Sequence, residues 1–598
     1  MRRDWVPVLL LPLAALVAVV PLMVNGPSCG HDFDFHFTNW YEAAQQLGHG
    51  VLYPHWAATP AWNAGEPRFI FYPPLSWTLG ALLGFVMPWT WTPIAYTWIA
   101  LLASGVALWF AARELGSPPR AALLAAVLYM ANPYMLFTAY ERTAYAELLA
   151  AAWLPLLLAA ALRERPGVLR IAVPVALLWL TNAPAAVMGC YSLALIATAR
   201  WVPLIWQSYR SPRRQDRHPE PSRRGNQKAP DVEHPSLRFA GTFFAGTLLG
   251  LGLGAFYIVP AAYERRWVQI AMAVLPGMRI SDNFLFHRIG DAGHDTVLHT
   301  ASVVAVELIA LTAIALAAAG LVFRKTKPDS RGLAPLAILA LVLVFLLTPP
   351  SAAIWNHTPE LAFLQFPWRL LAILAVIFAL ALAKALSHMP SLFRQTSAMA
   401  ASGMIALAVA MAFMVSAYGA FRQPCYPEDT VAGRLESLHS ENPGSEPTDE
   451  YTPVTADNDP LAQQNPPWWL ADDAAADAPD SLPPGPAPRA LDLNPDHPQT
   501  LILNLRRYPA WNIQVNGSPA ELADRDDGLI AIPLAAGAAH VRIRWQNTAD
   551  HAIGNSITAV SFGLAVILWF RRQRNGPLQD LSLGADALHN TRPAALGR

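Results

Sequence analysis

Two aspartates, Asp32 and Asp34, stand two residues apart in the first polar stretch of the chain, with His31 and His36 interleaved. Carboxylates grouped in this way can act as a general base on an acceptor hydroxyl, or can hold a divalent cation against a phosphate leaving group. A plainer use is also open, in which one aspartate caps the helix that follows. A second group, Glu141-Arg142-Thr143-Ala144-Tyr145-Ala146-Glu147, carries both signs at the edge of an apolar run. Glu141 or Glu147 can supply a further acid there and Arg142 can meet a phosphate, or the charges can simply pair with one another and close a loop. A metal site at this place would draw on Asp32, Asp34 and Glu141 for magnesium or manganese.

The remaining candidates are arginines and rings. Arg142, Arg265, Arg266 and Arg369 fall on the side assigned below as external, against the usual excess of basic residues inside. An anionic substrate is one reason for such placement, since a guanidinium pairs bidentately with phosphate, and contact with lipid headgroups is the other. Arg369 ends Phe363-Leu364-Gln365-Phe366-Pro367-Trp368-Arg369, where a span begins. Tyr72, with Trp40, Tyr53, Trp56, Trp62 and Phe71, can stack on sugar rings or can belong to an interfacial aromatic belt. There is no Walker loop, no G-x-G-x-x-G, no H-E-x-x-H pair and no nucleophile elbow, which argues against a nucleotide donor held in a glycine-rich loop.

The elements that must position these residues are mostly membrane helices. Of 598 residues, 54% are hydrophobic and 14% charged, far more apolar than a soluble chain of this length, and the formal net charge of zero offers no general attraction to nucleic acid. An apolar run from about Val6 to Val24 follows Met1-Arg2-Arg3 without a small-residue cleavage site and reads as an uncleaved first helix with a cytoplasmic start. The loop over residues 25–73 is then external, and Phe37, Trp40, Tyr41, Ala44 and Leu47 predict a short amphipathic interfacial helix ended by Gly48-His49-Gly50. Pro74 to Pro88 is short for a span and reads as re-entrant or interfacial.

Spans are expected near Pro93–Ala112, Ala121–Thr138 and Glu147–Leu162. Two short apolar halves broken at Thr181-Asn182-Ala183-Pro184 follow, and lead to a basic loop from Arg210 to Arg238. Further spans are expected near Phe239–Pro260, Ser302–Phe323, Leu333–Leu347, Leu370–Leu386, Ala398–Tyr418 and Ala552–Phe570. Arg324-Lys325-Thr326-Lys327, the stretch from Lys384 to Arg394 and the closing Arg571-Arg572-Gln573-Arg574 then all lie inside. The expected fold is an all-α polytopic membrane protein of about twelve spans plus interfacial helices, with both termini cytoplasmic.

The transmembrane domain occupies 1–420, an irregular Pro-rich and acidic external segment 421–498, a small external β-sandwich-like domain 499–550, the last helix 551–571 and a cytoplasmic tail 572–598. The β-domain is expected over Thr500–Leu505, Trp511–Val515, Leu529–Leu534 and His540–Trp545, and to lean on the membrane domain because so small a core is marginal alone. Three cysteines cannot make a disulfide framework; Cys29 and Cys425 share the external side, either as one bridge or as two unrelated thiols.

The order of Asp32, Leu52-Tyr53-Pro54-x-Trp56, Asn63-x-Gly65 and Phe71-Tyr72-Pro73-Pro74-Leu75 resembles the GT-C superfamily of polytopic glycosyltransferases. More narrowly, the chain is similar to a bacterial membrane family that carries the label "6-pyruvoyl-tetrahydropterin synthase-related". Leu180-Thr181-Asn182-Ala183-Pro184, Leu364-Gln365-Phe366-Pro367-Trp368-Arg369, Glu450-Tyr451-Thr452-Pro453 and Tyr508-Pro509-Ala510-Trp511 extend the likeness over nearly the whole chain. That label names a soluble zinc enzyme with a histidine triad, and this sequence holds no such triad.

The GT-C resemblance implies transfer of a sugar from a polyprenyl-phosphate carrier to a glycan, lipid or protein acceptor on the external face of a bacterial inner membrane. It implies Asp32, then Asp34, as catalytic groups serving as base or metal ligand. His36, Tyr72, Glu141, Arg142, Glu147 and Arg369 are the expected substrate-binding residues, with a divalent ion as the possible cofactor. The other expectation is a non-catalytic scaffold or transporter for envelope glycans or lipids on the same frame. A transporter would place charges near the bilayer midplane, whereas these acids gather at the external edge.

Overall fold

The computed structural model describes residues 9–210, 235–326, 332–387, 408, 411–412, 414–479 and 482–588. Most of the basic loop, the body of the span expected at Ala398–Tyr418 and the end of the tail lie outside the described residues.

Helices dominate because long Ala/Leu/Val runs leave the backbone no partner in lipid except itself. In chain order they are α1 (Leu11–Asn25), α2 (Phe33–Gly48), α3 (Pro74–Val86), α4 (Thr92–Glu114), α5 (Pro119–Met130) and α6 (Pro133–Tyr140). Then come α7 (Tyr145–Ala150), α8 (Trp153–Leu162), α9 (Val168–Thr181), α10 (Ala183–Arg210), α11 (Pro235–Leu253) and α12 (Ala255–Glu264). The last are α13 (Ala292–Thr326), α14 (Leu333–Leu346), α15 (Leu371–Leu386), α16 (Val431–Leu438) and α17 (Ala549–Leu588).

Among the described residues eight helical stretches are long and apolar enough to cross a membrane, rising to nine if Leu333–Leu346 and Pro349–Asn356, bent by 97°, count as one. Leu11–Asn25, Pro74–Val86 and Val168–Thr181 are apolar but shorter. The expected count of about twelve spans is not confirmed among the described residues, which leave out most of the span expected at Ala398–Tyr418. The break after Thr181 falls as expected, with Asn182 extended at φ −156° and ψ 114°. The segment beyond it is not a short half, however, but a 24-residue candidate span, Ala183–Trp206.

Helix α2 forms where the spacing predicts it, yet ten of its sixteen residues are buried, so protein rather than one lipid face surrounds it. Trp40 is the anchor: its ring stacks on Tyr96 at 4.7 Å and meets Tyr145 edge-on at 4.8 Å. Gly80 of α3 permits this approach, since a Cβ there would lie 2.2 Å from the Trp40 ring. Glu66 and Arg68 form a buried ion pair at 2.6 Å. Arg68 also donates to Asn39 of α2 at 3.0 Å and to Thr448 at 2.8 Å.

The β-domain is two antiparallel sheets. One has the order β1 (Trp468–Ala471), β3 (Gln499–Arg506), β6 (Leu529–Leu534). The other runs β2 (Ala490–Leu493), β7 (Ala539–Trp545), β4 (Trp511–Val515), β5 (Ser518–Pro519). All four expected strands are present, and the stretch read as irregular supplies β1 and β2 as edge strands. Alternation on β7, where Val541 and Ile543 are buried and His540, Arg542 and Arg544 exposed, builds the inner face with Leu501, Leu503, Ile530 and Ile532.

This core is completed by the membrane domain. Trp56, in the loop over residues 25–73, is buried against Trp511 at 5.3 Å and Tyr508 at 5.7 Å. Trp56 therefore belongs to the interface between domains and not to a lipid belt or a sugar platform. A disulfide joins Cys29 to Cys425, so the two cysteines are one bridge, while Cys190 is free.

Candidate functional site

The loop over residues 25–73 is laid directly on the α6–α7 turn. Asp32 N–H donates to the Arg142 carbonyl at 2.9 Å, and Ser28 Oγ donates to the Tyr140 carbonyl at 2.6 Å. Gly30 makes this contact possible, because a Cβ there would lie 2.2 Å from the Glu141 carbonyl oxygen. The turn is itself sharply bent, with the β-branched Thr143 at φ +49°, a conformation that costs about 1–3 kcal/mol and is held by its surroundings.

Asp32 occupies the N-cap position of α2 but its side chain makes no capping hydrogen bond. Its carboxylate is 41% exposed and stands 3.7 Å from Arg142 Nη2. The cap explanation thus accounts for its place in the chain and not for where its oxygens point. Asp34, 45% exposed, pairs instead with Arg434 of α16 at 2.8 Å and accepts from Thr38 at 3.3 Å. Arg434 also pairs with Asp429 at 2.8 Å.

Behind Asp32 is a buried charge cluster. Glu147, 4% exposed, accepts from Arg142 Nη1 at 2.6 Å and from the Tyr134 hydroxyl, and faces Arg369 Nε at 3.7 Å. It is the common counter-ion of two guanidiniums and is spent in holding them. Burial opposes the charge on Arg142, but Glu147 and Asp32 outweigh it and hold its pKa above the ordinary guanidinium value. The Arg142 guanidinium lies 4.7 Å over the Trp368 ring. Arg369 donates to the Leu364 carbonyl at 3.0 Å, while its buried Nε carries no hydrogen bond. Gln365, at φ +60°, turns the chain just before this arginine.

His36 and Tyr72 close the other flank. The His36 ring is buried among Tyr145 at 5.4 Å, Tyr72 at 5.8 Å and Trp40 at 6.1 Å. Burial pulls its pKa down to about 4, with Asp32 opposing and Arg142 assisting, so the imidazole is neutral near pH 7. Burial pushes the Tyr72 hydroxyl well above its usual range, and the charge of Asp32 adds to the shift. Asp32, His36, Tyr72, Arg142 and Arg369 are therefore electrostatic neighbours.

Glu141 is set apart. Its carboxylate accepts from Gln423 Nε2 at 2.7 Å, and burial raises its pKa in spite of that bond. Asp32, Asp34 and Glu141 are not brought together as a ligand set, since Asp34 turns to Arg434 and Glu141 to Gln423. These residues do not fit a bound divalent ion. Arg265 and Arg266 lie outside the cluster; Arg266 packs over Tyr263.

Sequence reading missed Arg434, Gln423, Tyr134 and Trp368. The first two come from the segment over residues 421–498, and only the Cys29–Cys425 pairing hinted that this segment folds back on the first loop. A cavity of about 580 Å³, lined by Glu114, Arg163, Arg165 and Lys384, lies at the other end of α4 and α8 and touches none of the candidate residues.

No protein family model matches the chain, and no curated protein matches it. Among solved structures it is similar to the arabinofuranosyltransferase AftD from Mycobacteria, with 19% identity and a TM-score of 0.41 over 72% of this chain and 29% of that one. The Archaeoglobus fulgidus oligosaccharyltransferase, in complex with Zn and sulfate, aligns with 14% identity and a TM-score of 0.38 over 70% of this chain and 54% of that one. The chain thus spans less than a third of the one and about half of the other. Fold and composition define a multi-pass helical membrane protein whose β-sandwich sits on its first loop, with a carboxylate and arginine cluster at that loop.

Proposed function

We propose that this protein is an integral-membrane glycosyltransferase of the GT-C type, moving a sugar from a polyprenyl-phosphate-linked donor to an acceptor on the external face of a bacterial inner membrane. The observation that carries the reading is an open, uncapped carboxylate, Asp32, set beside two buried arginines that share one buried glutamate. The motifs spread from Asp32 to Trp511, including those of the family labelled 6-pyruvoyl-tetrahydropterin synthase-related, support it as a resemblance.

In this reading Asp32 takes the proton of the acceptor hydroxyl as the acceptor oxygen bonds to the anomeric carbon. The bond from that carbon to the phosphate oxygen breaks, with inversion, and the polyprenyl phosphate leaves. Arg369, whose Nε makes no hydrogen bond, and Arg142 bind the phosphate. Glu147 positions both arginines, and Asp34 is held by Arg434 at the rim. His36, neutral, and Tyr72 wall the sugar. The lipid tail lies along the helices near the Thr181–Pro184 break.

The test is complementation of a deletion strain. Asp32→Asn, inserted in the membrane at normal level, is expected to leave the glycolipid profile unrestored; full restoration by both Asp32→Asn and Asp34→Asn would overturn the assignment.

A further inference from the structure

We propose that Glu264, Asp550 and His551 form a divalent-metal site, best matched by zinc, that clamps the β-domain and last helix to the membrane domain. Glu264 ends α12, while Asp550 and His551 lie in the first turn of α17. All three are buried, and one ligand atom from each lies within 4.8 Å of the others. Among the described residues this is the one such group of three.

The independent sign of a missing ligand is Asp550. The residue is 4% exposed, and both of its carboxylate oxygens are buried without a hydrogen-bond partner. A buried carboxylate left so bare is costly unless a cation meets it. His551 Nε2 lies 2.9 Å from Glu264 Oε1 and 4.0 Å from Asp550 Oδ2, and among the described residues it is the one basic side chain paired with either acid. Two buried carboxylates thus face a single imidazole as their one basic neighbour among the described residues. A divalent cation between them would meet the bare Asp550 oxygens.

The rest of the cluster is built to hold a ligating carboxylate still. Tyr508 donates to Glu264 Oε2 at 2.5 Å, and Thr548 to Oε1 at 3.1 Å. Such hydroxyls fix the orientation of a metal-binding carboxylate. One imidazole and two carboxylates suit zinc, which accepts mixed nitrogen and oxygen donors, better than calcium or magnesium, which favour oxygen alone. A further imidazole, His55, meets His551 edge-on at 4.8 Å between ring centroids. Because Tyr508 belongs to the β-domain and His55 to the first loop, an ion here would lock three parts of the fold together. The inference is independent of glycosyl transfer and shares no residue with the Asp32 cluster.

The experiment uses full-length protein in detergent, stripped with chelator, loaded with zinc and dialysed. Asp550→Asn and His551→Gln are each expected to lower bound zinc by about one equivalent per chain, both in the natural background and with Asp32→Asn/Asp34→Asn. Stripped wild-type protein titrated with cobalt is expected to gain visible absorption bands, a readout that needs no variant. Equal zinc in wild type and both variants, loss of the ion with Asp32→Asn/Asp34→Asn alone, or no cobalt bands in the wild type would each overturn the proposal.

Discussion

Replacing Glu147 with glutamine and Arg142 with methionine, singly and together, measures how firmly the arginine pair is held. Glu147 is the shared partner of Arg142 at 2.6 Å and Arg369 at 3.7 Å, and all three side chains are largely withdrawn from water. Removing one member of a buried ion pair costs about 3–5 kcal/mol, mostly because the partner is left buried and uncompensated. In Glu147→Gln two guanidiniums lose their common counter-ion and keep only Asp32, at 3.7 Å from Arg142, so the cost belongs near the upper end of that range. In Arg142→Met the carboxylate still faces Arg369, which places the cost near the lower end. The double variant leaves fewer uncompensated charges than the sum of the singles, so the coupling energy is expected to reach about 2 kcal/mol. Denaturant midpoints of purified protein in detergent, followed by tryptophan fluorescence, provide the cycle. A coupling below about 0.5 kcal/mol would refute the view that Glu147 positions the arginines.

Other outcomes follow from the same geometry. His36 has a folded-state pKa lowered to about 4 against 6.5 for the free group, so its contribution to stability is complete above pH 6.5 and is lost as pH falls from 6.5 toward 4. At about 1.4 kcal/mol per pH unit that loss approaches 3 kcal/mol, and His36→Gln is expected to flatten the corresponding part of a stability-against-pH curve. Maleimide labelling of the denatured protein should modify one thiol, Cys190, before reduction and all three cysteines afterwards; three before reduction would contradict the bridge. Gly80→Ala drives a methyl group into the Trp40 ring, and overpacking of this kind costs about 1–3 kcal/mol, readable as a lower midpoint of thermal unfolding.

Much of the frame was legible because its signals are local. Alternation on β7 and helical spacing in α2 both rest on residues a few positions apart, and the break at Asn182 is written in its own Asn-Ala-Pro. The fate of α10 was harder, because an apolar run rich in alanine looks the same as a short hairpin arm or as a full span. The site was legible in part: Asp32, Arg142 and Arg369 could be named from their types, since charge on the external side of a membrane helix needs a reason. Their partners could not. Arg434 and Gln423 reach the site only through the fold of a segment some 400 residues away from Asp32, tied back by Cys29–Cys425. Trp56 misled because an exposed aromatic and one that seals a domain interface have the same sequence signature. The Glu264, Asp550 and His551 group is invisible in sequence for the same reason, its two acids being brought together only by packing of α12 against α17.

The proposed role of Asp32 as the base for glycosyl transfer can be measured directly. Membrane vesicles holding the protein and supplied with a labelled polyprenyl-phosphate sugar give the direct measurement, as the rate at which label passes to endogenous acceptor. Loss of a general base removes about 10²- to 10⁴-fold, so Asp32→Asn is expected to fall by at least that lower figure at unchanged protein level, with Asp32→Glu intermediate. Transfer by Asp32→Asn at the wild-type rate would rule out Asp32 as the base.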